Sequence, residues 1–534
     1  MQQFIEKYKD QVLGTLSGFD RLVFRGTLRR LNFSHWDRER EIMVATGMER
    51  HLWQQGELFK NYGQYVKRVS ERIKHHSLKP FREGQIPVKY EQDSKVDKDE
   101  LARQVAAGKQ VRSGLVCAIS AMEPSPTFDY IKSRIARRMR PCHVLYHYQV
   151  HPELGWMHAR IQTWFPFNIQ IAINGREWLR QQMDRAGIQY LQVGNCFPWI
   201  EDWERAQQLM NQQLETNWPE LLQGFVKALN PIHEEIFERC PIEYYWTCYQ
   251  SEWASDVSFR DADFLKRLMR ILVPHGMLSY SSTDVLRYFD QRVNKSGRIP
   301  ANFGGALQTS FREYLEGERV KYGMESNYLK FYDKAYTELG NLVRAAETTL
   351  NQVKMFWTYR PKEGGPKEDL QWRRMRKGVA DLNRRAQISQ KANDRLLVAL
   401  ASVDDSQRLE ELVASIQRPT TWNGRRVRAL RPWAEDKDLL QAINDGDFLI
   451  NGFRNRDLQR LLYSQPAETE AEQRRRSAAV SRRLRMLRAH GVIRKIPHTH
   501  RYHVAPDART MLVAVLTAAR TSLNQINELQ TKAA

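Results

Sequence analysis

The alternation of apolar and polar positions divides the chain into strand-like and helix-like stretches. Apolar patches alternate with basic clusters over the first stretch of about 75 residues, where GTLSGFDRLVFRGTL (14–28) predicts two short strands around a Gly-Phe-Asp turn. Helical patterns follow to about Lys109. Strand-like GLVCAIS (114–120) comes next, then an antiparallel pair, CHVLYHYQV and WMHARIQTWF, joined by His-Pro-Glu-Leu-Gly. IQIAIN (169–174) leads into helical REWLRQQMDRAG. Together these predict an N-terminal α/β domain over 1–230, closing at Asn230 and Pro231.

Helical HEEIFER opens a second α/β domain over 231–360. Its strands are the aromatic and β-branched stretch Tyr244–Phe259, NYLKFYDK (327–334) and LVRAAETTL (342–350). RPKEGGPKED (360–369) is turn-rich and charged, the pattern of a hinge or exposed loop. A basic helical segment fills 361–417, a linker 418–435, and a last domain 436–534. The fold class predicted is multidomain α/β (α+β), with two N-terminal α/β domains, a helical connector and a helical C-terminal domain. No internal repeat is found.

The last domain has the sharpest pattern. Asp436 or Lys437 opens a helix to about Asn444, Asn455 is the expected N-cap of RDLQRLLYS, and Ser477 that of AAVSRRLRMLRAH, which Gly491 stops. At 100° per residue Val480, Leu484 and Leu487 share one face; Ala478, Arg482 and Arg485 take the opposite one, flanked by Ser481 and Arg488. VIRKIP, a His-Thr-His turn and RYHVAP then predict a β-hairpin carrying Arg494, Lys495, His498, His500 and Arg501. This order of three helices and a basic hairpin resembles the winged helix-turn-helix domains of bacterial transcription regulators over about 70 residues. The resemblance implies that Ser481, Arg482, Arg485, Arg488 and the hairpin bind nucleic acid, with Arg474, Arg475 and Arg476 adding positive charge. His498, His500 and His503 have no Cys or carboxylate beside them, so they read as phosphate-facing side chains rather than metal ligands.

Charge widens that expectation to the whole chain. Across 534 residues, 83 Lys and Arg face 62 Asp and Glu, a formal charge of +21 that calls for an anionic partner such as nucleic acid. DNA is the favoured polymer, with RNA open. A hydrophobic fraction of 42% supports folded domains over disorder. The longest apolar stretch, Met157–Ile173, is broken by Arg160, Gln162 and Asn168, so no membrane span is expected. The start MQQFIEKYKD has no secretory pattern, and Cys117, Cys142, Cys196, Cys240 and Cys248 form no C-x-x-C pair; both point to a reducing cytoplasm.

Carboxylates supply the candidate chemistry. Glu252 and Asp256 lie four apart in QSEWASDVSF, on one side of a strand and about 13 Å apart at its ordinary rise, too far for one ion. An acidic strand, then LKFYDK, then VRAAETTL resembles the replication initiators of rolling-circle plasmids and filamentous phages. That resemblance implies metal-binding carboxylates and a nucleophilic tyrosine, matching Asp256, Tyr332-Asp333-Lys334 and Glu347. Arg344 departs from it, standing three residues before Glu347 instead of two. A second set, Asp20, Glu123 and Asp202, is similar in layout to ribonuclease H-like nucleases, which hold two divalent ions. Catalysis would therefore use Asp256, Glu347, Asp20, Glu123 or Asp202. A divalent metal, Mg²⁺ or Mn²⁺, would sit on Asp256, Glu347, Asp20 and Glu123; without catalysis no cofactor is expected.

His143, His147, His151 and His158 crowd the antiparallel pair among Tyr146, Tyr148, Trp156 and Trp164. The pattern suits structural histidines, a base-stacking surface or, with His158 facing His147, a metal site. No G-x-x-x-x-G-K-[ST] or G-x-S-x-G occurs. The expected function is nucleic-acid binding in a bacterial mobile or replicating element, with the C-terminal domain choosing the site. The alternatives are a metal-dependent nuclease or initiator-like nicking enzyme, and a transcription regulator or structured-RNA-binding protein without catalysis. A homodimer on a palindromic site is compatible with the last.

Overall fold

The computed structural model describes residues 1–29, 48–91, 96–229, 243–278, 280, 282–291, 299, 305–314, 317–337, 340–362, 365–366, 368–401, 409–444, 448, 452–497 and 499–519. HEEIFER and the Asn230-Pro231 boundary lie outside the described residues. The first strands are β1 (Val12–Arg29), β2 (Val88–Glu91), β3 (Gly114–Ile131), β4 (Arg134–His151), β5 (Gly155–Gln162), β6 (Ile169–Asn174), β7 (Tyr190–Val193) and β8 (Cys196–Ile200). They are followed by β9 (Glu243–Phe259), β10 (Leu307–Tyr314), β11 (Gly317–Met324), β12 (Asn327–Thr337) and β13 (Gly340–Leu350).

All but β7 and β8 join one eleven-stranded sheet in the order β10-β11-β12-β13-β9-β1-β6-β5-β4-β3-β2. Neighbours are antiparallel except the parallel pair β2 and β3, so the chain is a mixed α/β protein with a large mixed sheet. Strands of both expected α/β domains belong to this sheet. The seam is the pairing of β1 with β9, so position 230 does not separate two sheets. Pairing across more than 200 residues leaves no local trace in a sequence.

The Gly-Phe-Asp segment corrects an expectation. It is no turn: β1 runs unbroken for 18 residues, paired with β9 on one side and β6 on the other. Asp20 is an extra residue in a β-bulge between Phe19, opposite Trp253, and Arg21, opposite Glu252. The glycines that suggested a turn make room for a helix. A Cβ on Gly14 would strike Trp203 and one on Gly18 would strike Met210, both from the helix Trp203–Asn211.

Register fixes the two faces of the sheet centre. Leu16, Gly18, Ala254 and Asp256 share the face covered by the helices Gly175–Ala186 and Trp203–Asn211 and by the β7–β8 hairpin, where Ser258 donates to the Pro198 carbonyl. The opposite face, with Trp253 and Thr348, is covered by the helix Leu382–Ala401: Trp253 Nε1 donates to Gln390 at 2.7 Å and Thr348 Oγ1 to Asn393 at 2.7 Å. The expected basic connector therefore contributes to the core. Arg385 is fully buried, its guanidinium donating to the carbonyls of Cys248 and Leu350 and to Ser251 Oγ.

The first of the covering helices comes unusually close. Asn174 caps it by accepting from the backbone N–H groups of Arg176 and Glu177, and a Cβ on Gly175 would overlap the Phe19 carbonyl oxygen. Because that obstacle is backbone, Gly175→Ala is expected to cost about 1–3 kcal/mol or more in stability. Chemical denaturation measures it, and a wild-type midpoint would mean that the helix seats elsewhere.

Residues 409–519 have their own apolar cluster, including Leu439, Leu458, Val480, Leu484, Leu487, Val492 and Leu512. Helices Lys437–Ile443, Asn455–Leu462 and Glu470–Ala489 are followed by the two-stranded pair Ile493–Lys495 and Tyr502–Val504, then the helix Pro506–Ala518. Two caps differ from expectation. The third helix starts at Glu470, capped by Thr469, because the polar run before Ser477 is itself good helix former; Ser477 lies inside. Asn455 is already helical and uses its side chain on Ser477 O and Ser481 Oγ. Gly491 has φ +72° just past the helix end, as a stop at that position requires. Among the described residues no helix is long and apolar enough to cross a membrane.

Candidate metal centre

Three adjacent central strands, β1, β9 and β13, each carry one carboxylate to the same place. Asp20, Glu252 and Glu347 offer oxygens that all lie within 4.8 Å of one another, the group of this kind found among the described residues. Register explains the convergence. Glu347 lies opposite Ala254 and Glu252 opposite Thr349, so both face one side. In β1 the bulge brings Asp20 to that side, next to Arg21.

Each carboxylate is held by other side chains. Asp20 Oδ1 accepts from Asn195 Nδ2 at 2.8 Å, just before β8, and lies 3.4 Å from Arg176 Nε. Glu252 Oε1 accepts from Gln250 at 2.6 Å. Glu347 accepts from Lys330 Nζ at 2.7 Å and from the Tyr332 hydroxyl at 2.8 Å. Asp20 and Glu347 are buried, while Glu252 is half-buried and opens the cluster to solvent beside the exposed Arg21.

Arg176, wholly buried, spans Asp20 and Asp256, with Nη2 2.8 Å from Asp256 Oδ2. Arg176 thus bridges two of the carboxylates, Lys330 pairs with Glu347, and Arg21 stands at the rim. Burial first, then Glu347 and Asp20, raise the Glu252 pKa above the ordinary glutamate value, against the pull of Lys330 and Arg21. Lys330 shows the converse: burial would lower its pKa, but Glu347 and Glu252 outweigh it and raise it. Thr349 Oγ1, opposite Glu252, is buried with no hydrogen-bond partner.

Such a donor set fits a hard divalent cation. Bonds of about 2.0–2.4 Å to oxygen place ligand oxygens at most about 4–5 Å apart across the ion, the spacing seen here. The unsatisfied Thr349 oxygen beside Glu252 is what a hydrated cation would relieve.

The sequence-predicted residues divide. Asp20 and Glu347 come together although they were placed in different sets. Glu252, noted only for its spacing from Asp256, completes the group. Asp256 lies on the same face but is taken up by Arg176. Glu123 is outside the cluster, on β3, where burial raises its pKa but the Tyr146 hydroxyl, Arg160 and Lys98 outweigh that and hold it low. Asp202 is an N-cap, accepting from Arg205 N at 2.8 Å. Tyr332 is buried against Glu347 under the Arg319 guanidinium, and Asp333 is buried also; the side chains of Lys334 and Arg344 lie outside the described residues.

The histidines do not converge. His158 stands opposite Tyr148, one position from His147, so the two face opposite sides of the sheet. His147 bonds Ser77 and His143 bonds Ser120; burial lowers both His147 and His158 to a pKa of about 4. His151 accepts from the N–H groups of Glu153 and Leu154 in the turn.

In the C-terminal unit Ser481, Arg482 and Arg485 are exposed, and neither arginine forms an ion pair among the described residues. Arg488 lies over the Trp422 ring at 5.4 Å. Arg474 pairs with Glu470 and Arg476 with Glu472, so their charge is partly spent within the helix, whereas Arg475 is exposed. Arg494, Lys495 and His500 are exposed on the hairpin and Arg501 donates to Gly452 O; His498 lies outside the described residues.

No family model, curated protein or solved structure matches the chain, so the functional reading rests on its own geometry.

Proposed function

We propose that the chain is a divalent-metal-dependent enzyme that cuts nucleic acid, with Asp20, Glu252 and Glu347 as metal ligands and the C-terminal unit as the element that grips the polymer. The observation that carries this reading is the meeting of the three carboxylates on neighbouring central strands of a strongly basic protein. A cation bound there would polarise a phosphodiester oxygen and activate water. The chain's own groups fix the ligands: Asn195 and Arg176 hold Asp20, Gln250 holds Glu252, and Lys330 with Tyr332 hold both oxygens of Glu347. Tyr332, buried and donating to Glu347, serves as a positioning residue in this reading rather than as the nucleophile implied by the initiator resemblance.

Incubation of single- and double-stranded DNA and RNA with the protein and Mg²⁺ or Mn²⁺ tests the proposal. Scission stopped by EDTA is expected, and intact strands in every combination would overturn it.

The winged-helix reading of residues 436–534 is supported by the order of helices and hairpin and by the exposed Arg482 and Arg485. Arg482→Ala and Arg485→Ala are each expected to weaken binding at a preferred duplex site by about 1–3 kcal/mol. Binding assays across several sequences check this, and equal loss on all of them would demote the helix to a phosphate contact.

A further inference from the structure

Strands β14 (Trp357–Arg360) and β15 (Gln371–Arg374) form a hairpin outside the large sheet. Register sets Trp357 opposite Arg374 and Tyr359 opposite Trp372, so all four side chains stand on one face. That face is bare: Trp357, Tyr359 and Trp372 are 55%, 53% and 67% exposed, while Thr358 and Arg360 on the other face are buried. Burying a large apolar side chain is worth about 1.5–3 kcal/mol, so a hairpin that leaves three aromatic rings in water on one side is not built for its own stability. The rings are already arranged for contact, with Tyr359 and Trp372 5.8 Å apart and the Arg374 guanidinium 5.1 Å from the Trp357 ring.

Charge at the hairpin's base identifies the partner. One buried carboxylate, Asp381, serves three guanidinium groups: Arg384 at 3.1 Å, Arg376 at 3.2 Å and Arg360 at 3.8 Å. Burial and then Arg376 depress the Arg360 pKa, with Asp381 opposing and Arg373 and Arg384 adding to the fall, as expected where positive charge is crowded. The chain leaves β15 through Met375, Arg376 and Lys377, whose carbonyl accepts from Cys248 N on β9. There Lys377 and Arg25 both lie within 6 Å of the exposed Tyr249 ring. Tyr249 stands three residues, about 10 Å of strand, before Glu252.

We infer that the outward face of the β14–β15 hairpin is a stacking platform for a single-stranded segment of nucleic acid, whose phosphates meet Arg374 on that face and the partly exposed Arg376 and Arg384 at its base. Bases stack on exposed aromatic rings whatever their sequence, and interleaved guanidinium groups meet the backbone. This rests on the proposal that the protein acts on nucleic acid, and it adds the strand form and the surface that takes it.

The test uses the full chain carrying Asp20→Asn, in EDTA, so that no scission intervenes. Binding of labelled oligo(dT), oligo(U) and a DNA duplex of equal length is measured with and without Trp357→Ala, Tyr359→Ala and Trp372→Ala combined. Single-strand affinity is expected to fall about tenfold or more and duplex affinity to change less than about twofold, while Trp372→Phe alone keeps most of the single-strand affinity. Whichever of oligo(dT) and oligo(U) loses more names the preferred sugar. Unchanged single-strand binding in the triple variant, with duplex binding intact, would overturn the platform and leave the nuclease proposal standing. Failure of the unsubstituted platform to bind any of the three polymers would overturn both.

Discussion

Replacing any one of Asp20, Glu252 or Glu347 by its amide is expected to lower metal-dependent scission by at least about 10²–10³-fold, the scale of losing a group that stabilises charge at a reacting centre. Nucleic-acid binding through the C-terminal unit should persist, so affinity and scission measured side by side separate the two roles. Scission at the wild-type rate in all three variants would remove the cluster from the chemistry. Glu252→Gln carries a further signature in the metal-free protein. Its carboxyl has a pKa raised by burial and by Glu347, so the folded chain holds that proton more tightly than the unfolded chain does. The metal-free protein therefore loses stability as pH rises from the ordinary glutamate value through the raised one. The amide removes this loss, and its melting temperature near neutral pH should exceed that of the metal-free parent.

Arg176→Met is expected to have the largest effect on folding. The guanidinium is wholly buried between Asp20 and Asp256, and Asp256 is itself only 2% exposed. Removing one partner of a buried ion pair costs about 3–5 kcal/mol, because the remaining charge stays desolvated. Adding Asp256→Asn to Arg176→Met should recover much of that stability but not scission, since Asp20 has still lost the group that orients it. Equal stability of the single variant and the parent, by denaturant titration, would show that Arg176 does not neutralise these carboxylates.

Much of the local structure is legible in the sequence. IQIAIN is β6 residue for residue, the His-Pro-Glu-Leu-Gly turn joins β4 to β5, and Tyr244–Phe259 is β9 to within one residue. In the last domain Lys437 and Gly491 bound their helices as their chemistry predicts, and the basic hairpin follows. Each of these depends on neighbours close in sequence.

The site was harder to read because it depends on register between distant strands. Asp20 reaches its partners through a bulge that, in one dimension, looks like a Gly-Phe-Asp turn. Asp256 and Glu252 have the same parity, but only the structure shows that Arg176 from another element claims Asp256. One signal was present. GTLSGFDRLVF, CYQSEWASDVSF and LVRAAETTL each place carboxylates within a long, otherwise small or apolar strand, and a charge in such a strand is costly unless something compensates it. Grouping strands by that anomaly, rather than by likeness to two nuclease layouts, puts Asp20, Glu252 and Glu347 in one set with Asp256 and Glu123 and leaves out Asp202, which caps a helix.

The most direct test of the central claim is a calorimetric titration of the metal-free protein with Mn²⁺ near neutral pH, repeated with Glu252→Gln and Glu347→Gln. Saturable binding is expected for the parent, and it should be lost in both variants, each of which removes a ligand oxygen's charge. No saturable binding to the parent, or binding that the substitutions leave unchanged, would contradict the account.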